Sequence, residues 1–141
     1  MATTTATGSR QSSAEWDLGV ATGVIRIFAG VALWRAPSTL IRLSGGSPDD
    51  RLLRGLFRYF AVRDVALGVA TLASTRPGRD VPRVLTVQGV ADTVDGAAVG
   101  ALVATGRLRR TQGLGAVALA AVTALMEYAA AWQLRRRSNN R

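Results

Sequence analysis

The chain has 141 residues, 48% of them hydrophobic, and 18 basic side chains against 9 acidic ones give it a formal charge of +9. That length holds one domain. The absence of both Cys and His excludes disulfides, thiol redox chemistry, haem or zinc held by imidazole, and any Ser-His pair.

A strongly basic chain ordinarily suggests nucleic acid. Here every basic residue is Arg, and most of them bracket four apolar blocks instead of lining one polar face. Arginines at the ends of apolar blocks are what membrane interfaces favour. The composition therefore predicts an all-α, four-helix transmembrane bundle whose partner is the lipid bilayer, with no nucleic acid, no cofactor and no metal.

Residues 1–15 are small and polar and are expected to form a disordered leader. A cleaved signal peptide is disfavoured, because little positive charge precedes the apolar block and Arg26 interrupts its centre. The first helix is predicted over 16–35. Gly19, Gly23, Arg26 and Gly30 fall within about 60° of one another around a helix. Such a small-residue stripe lets membrane helices approach closely, and it would turn Arg26 towards protein. Trp16 and Trp34 stand near the two ends, where interfacial aromatics belong.

Pro37 stops that helix and a loop follows, with Leu40, Ile41 and Leu43 placed at the membrane surface. Ser47 is read as the cap of the second helix, over 48–75, with Pro48 at its first position and Asp49 and Asp50 facing the dipole. Arg54, Arg58, Ala61, Asp64, Gly68 and Thr71 share one broad face. Arg63 projects about 140° from Arg58 and needs a different neighbour. The favoured partner is Glu127; pairing across a homo-oligomer interface is the alternative.

Pro82 opens the third helix, over 83–105, where Gln88, Asp92, Asp95 and Val99 lie together. Asp92 and Asp95 are three residues apart, so their carboxylates share a face. The fourth helix, over 113–134, has Glu127 as its single charge within a stripe of Ala116, Ala120, Thr123 and Ala130. Residues 135–141 form a basic tail. Four spans put both termini on one side, assigned to the cytoplasm of a multi-pass protein of the cell membrane, although the arginines divide almost evenly between the two sides.

Charges deep in an apolar helix are costly in hydrocarbon and usually have partners. The expected buried cluster joins Arg26, Arg58 and Arg63 to Asp64, Asp92, Asp95 and Glu127, with Gln88 as a neutral companion. Three cations then face four carboxylates, a balance completed by one proton, a bound cation or water. All eight residues are candidates for ligand binding or proton relay.

Asp92-Thr-Val-Asp95-Gly96 resembles the opening of the CDP-alcohol phosphotransferase signature, but no later Asp exists to complete it. Arg26 likewise stands where four-helix multidrug exporters rely on Glu. A broader pattern, Arg26-x₃-Gly30-x₆-Pro37 followed by Arg63-Asp64-x₃-Gly68, resembles an uncharacterised family of small four-helix membrane proteins of bacteria and fungi. The resemblance implies that these residues belong to a shared core, and it implies no activity. Three functional classes follow. The first binds or transports a small polar or amphipathic ligand, with proton coupling as an option. The second is an accessory subunit of a larger membrane complex. The third is a membrane enzyme using carboxylate acid/base chemistry.

Overall fold

A computed structural model describes the backbone of residues 5–43, 45–76 and 80–139, with side chains from residue 16 onward except that of residue 138. The described chain is helical throughout its regular structure. It comprises α1 (Thr5–Arg35), α2 (Pro37–Leu43), α3 (Arg51–Ser74), α4 (Val81–Ala104) and α5 (Arg110–Asn139).

The four expected helices are all present, with different ends. α1 begins at Thr5, inside the segment read as a disordered leader. No proline precedes Pro37, so nothing in the backbone halts the helix on its N-terminal side. α5 extends at both ends, and it carries Arg135, Arg136 and Arg137 in its closing turns where a tail was expected. Cations there complement the helix dipole. The segment after Pro37 forms the short helix α2 and not a plain loop. Gly45, at φ +75°, ends it, and the Gly46 amide donates to the Ile41 carbonyl at 2.8 Å.

The start of α3 also corrects the sequence reading. Ser47 to Asp50 make a turn, closed by the Asp50 amide donating to the Ser47 carbonyl at 3.0 Å. The cap is therefore Asp50, whose carboxylate accepts from the amides of Leu52 (2.9 Å) and Leu53 (3.1 Å). Asp80 caps α4 in the same way through the Arg83 amide, and Pro82 falls in the first turn.

The helices pack as two pairs. α1 lies along α3 and α4 lies along α5, while α3 and α4 touch much less. Small residues make each pairing close. A methyl group built on Gly68 would stand 2.6 Å from the Gly23 carbonyl oxygen, and one on Gly30 would stand 2.6 Å from that of Ala61. In the second pair, Gly89 receives the Tyr128 ring. Two apolar clusters lie at opposite ends. Ile41, Leu53, Val99 and Leu108 form one, and Val81, Leu85, Ala131 and Leu134 form the other.

Between these clusters the interior is polar, since Arg26, Thr71, Gln88, Asp92, Asp95 and Glu127 are all buried. The outside is apolar. Ile25, Phe28, Leu119, Leu125 and Met126 are each 66–71% exposed. Large exposed apolar side chains in this number are typical of surfaces that contact a membrane or another protein. Two stretches, Trp16–Arg35 and Arg110–Arg137, are long and apolar enough to cross a membrane.

Candidate functional site

Each of the four long helices, α1, α3, α4 and α5, contributes charge at the same level of the bundle. Arg26 of α1 follows Gly23 and precedes Gly30, so α3 approaches closely on both sides of it. Its guanidinium is the hub. Nη1 donates to Asp64 Oδ1 at 2.8 Å, Nη2 to Asp92 Oδ2 at 2.6 Å, and Nε to Glu127 Oε1 at 3.0 Å. Nη2 also contacts the same Glu127 oxygen. Three other helices thus meet one planar fork, a geometry that a Lys ammonium cannot reproduce.

Arg63 forms a second hub one helix away. Its Nη2 holds Asp92 Oδ1, its Nη1 lies 2.6 Å from Asp95 Oδ2, and it stands 3.5 Å from Asp64 Oδ1. Asp92 is therefore shared, one oxygen to each guanidinium. The Tyr59 hydroxyl reaches Asp95 Oδ1 at 3.5 Å. One turn of α4 away, the Gln88 amide donates to the Leu67 carbonyl at 3.1 Å and to the Thr71 hydroxyl.

Six of the eight candidate residues come together: Arg26, Arg63, Asp64, Asp92, Asp95 and Glu127. Two do not. Arg58 is exposed and places its guanidinium 5.8 Å from the Trp34 ring centre, outside the cluster. Gln88 is fully buried and bonds α3 rather than the charged groups. The expected Arg63–Glu127 pair is also replaced, since Glu127 belongs to Arg26 and Arg63 turns to α4. The physical reason lies in the angle between Arg58 and Arg63. Only one of them can face α4, and the paired carboxylates Asp92 and Asp95 take Arg63. Tyr59 was not foreseen, although it stands four residues before Arg63 on the same side of α3.

Arg26, Arg63, Asp64, Asp92 and Asp95 form the floor of a cavity of about 480 Å³, with Glu127 behind them. Its lining runs from Arg26 to Leu33 on α1, from Asp64 back to Leu53 on α3, from Asp92 to Val99 on α4, and from Thr123 back to Thr111 on α5. All four runs lead to the same end of the bundle. That end carries exposed Arg42, Arg54, Arg107, Arg109 and Arg110. The walls are apolar, with Leu53, Phe57, Phe60, Val99 and Leu108 prominent. None of the four residues of the opposite apolar cluster lines it. The cavity therefore has apolar walls and a charged floor, and it extends towards that end. Among the described residues, no group of three or more acidic side chains is disposed to hold a metal ion.

No family model, curated protein or solved structure matches the chain. Function rests on the geometry of the site itself.

Proposed function

We propose that α1, α3, α4 and α5 all cross a bilayer, and that the chain binds a small amphipathic ligand whose polar end meets the charged floor of the cavity. The cavity carries this reading: a pocket of about 480 Å³ pairs apolar walls with an ion-pair floor, as sites for amphipathic molecules do. A cluster serving only to fix helix register needs no such space beside it.

The four-span arrangement draws support from lengths and faces. α3 and α4 have 24 residues each. At the rise of an α-helix that is about 36 Å, longer than the roughly 30 Å hydrocarbon core. Their interior charges turn to one another, which is how ionisable groups are tolerated at membrane depth. The exposed Val62, Val69, Val87, Val90 and Val94 of these two helices then face lipid. Membership of the uncharacterised four-helix family belongs to the same proposal, supported by Arg26, Arg63 and Asp64 meeting in one network. The assignment of the termini to the cytoplasm of a multi-pass protein of the cell membrane does too.

Two measurements test the reading. Untagged protein should stay with the membrane pellet after alkaline washing; its release into the supernatant would remove the bilayer from the proposal. The chain has no Cys, so single cysteines can be read without background. Ala120→Cys, in the cavity wall, should react with a water-soluble maleimide, and Ala131→Cys, buried at the far end, should not. Equal reactivity at both positions, or none at Ala120→Cys, would mean that no water-connected cavity exists.

A further inference from the structure

Resting on the ligand-binding reading above, we infer that the cavity selects an organic cation, a hydrophobic ammonium, over anionic and neutral molecules of the same size. The inference comes from what each charged group still has to offer. Arg26 already donates from Nε, Nη1 and Nη2 to three different carboxylates, and Arg63 spends both terminal nitrogens on Asp92 and Asp95, which leaves its buried Nε as the one guanidinium nitrogen of the two without a partner. An entering carboxylate or phosphate would find that single N–H among four carboxyl groups, and any further donor only by displacing one of these partners. Among the described residues, no third guanidinium lines the cavity.

The acidic side has the surplus. Four carboxyl groups face two guanidiniums, so the cluster is two formal negative charges in excess when all are ionised. Asp95 is the group best placed to use that surplus. It lines the cavity, it is 8% exposed, and its Oδ1 has only the long contact from Tyr59 at 3.5 Å. Glu127 Oε2, behind the floor, is a buried acceptor with no hydrogen-bond partner. The walls suit the rest of such a ligand. Phe57 and Phe60 supply aromatic area of the kind that attracts a cation, and Leu53 and Leu108 add apolar lining towards the Arg-bearing end. A primary ammonium supplies three donors to a floor rich in acceptors.

The test uses the full chain in phosphatidylcholine nanodiscs and three probes that share one alkyl chain: octylammonium, octanol and octanoate. Binding is followed by intrinsic tryptophan fluorescence and by the shift in melting temperature. Octylammonium should bind about tenfold or more tightly than octanol, the ratio expected for a charged hydrogen bond, and octanoate should bind weakest. Asp95→Asn should lower octylammonium affinity by a similar factor and so erase most of its advantage over octanol. Retained octanol binding also shows that the variant is folded. Ala116→Phe, which fills the cavity, should abolish all three. Octanol or octanoate binding as tightly as octylammonium, with sensitivity to Ala116→Phe, would overturn cation selection and keep the ligand cavity. If Ala116→Phe changes none of the three signals, the cavity reading itself fails, and the cation inference with it.

Discussion

Arg26 and Arg63, on different helices, hold opposite oxygens of the same Asp92 carboxylate. Arg26 Nη2 lies 2.6 Å from Oδ2, and Arg63 Nη2 takes Oδ1. The shared carboxylate ties the α1–α3 pair to the α4–α5 pair. Both guanidiniums sit in the first pair and three of the four carboxyl groups in the second. The seam between the pairs is thus held by charge where their helices make few other contacts.

This arrangement ranks the cluster variants. Arg26→Leu leaves Asp64, Asp92 and Glu127 without their common cation, and breaking a buried pair from one side typically costs about 3–5 kcal/mol. Asp92→Asn turns an acceptor into a donor against one guanidinium and should be the next most damaging. Asp95→Asn disturbs one guanidinium, that of Arg63, and the long Tyr59 contact, and should be the mildest. Thermal melting of the three variants in one detergent checks the order, and Asp95→Asn melting lowest would contradict the two-hub arrangement.

Arg58 supplies a contrast on the same helix. It is exposed and lies over the face of Trp34, an interaction worth about 0.5–1 kcal/mol at such a site. Arg58→Leu should therefore leave melting nearly unchanged, whereas Arg63→Leu should lower it strongly. Similar losses for the two variants would mean that α3 is rotated about its axis.

Much of this was readable before the structure. Apolar blocks ended by Pro, Gly and Arg located four helices, and the depth of Arg26, Asp92, Asp95 and Glu127 marked them as interior. Face arithmetic on α3 was not enough to choose between Arg58 and Arg63, because both lie on faces that some neighbour could cover. The choice depends on where α4 sits, and that is set by long-range contacts such as Gln88 with Thr71 and Leu67. The cap of α3 was misplaced for a local reason. Ser47 and Pro48 form a helix-start pattern, but the turn they make postpones the helix to Asp50. Cavities leave no periodic trace in a sequence, so the space above the floor could not be read at all.

Glycine substitutions separate packing from propensity. At Gly68 a new methyl group meets the Gly23 carbonyl oxygen at 2.6 Å, a backbone atom that cannot move without shifting α1. At Gly100 it meets nothing within 4 Å. Gly68→Ala should lower the melting temperature. Gly100→Ala should hold or raise it, since replacing an unencumbered helical Gly by Ala gains roughly 0.5–1 kcal/mol. A rise for both variants would show that α1 and α3 are further apart than described.

The pairing of Arg63 with Asp95, and not with Glu127, can be isolated by double-mutant cycles. Arg63 Nη1 lies 2.6 Å from Asp95 Oδ2, while Glu127 meets Arg26. Groups in direct contact show coupling of about 0.5–3 kcal/mol, and groups without a shared contact add independently. Asp92 complicates the second case, because both guanidiniums touch it and it can pass a perturbation between them. The cycle Arg63→Leu with Asp95→Leu should therefore give the larger coupling, and Arg63→Leu with Glu127→Leu a smaller one. Removing both members of the first pair also leaves no lone buried charge from that contact, so the double variant should melt higher than Arg63→Leu alone. An exchange of Arg63→Glu with Glu127→Arg should rescue neither single change, since it sets Glu against Asp92 and Asp95 and Arg against Arg26. Recovery of folded protein by that exchange would return Arg63 to Glu127 and break the network at its second hub.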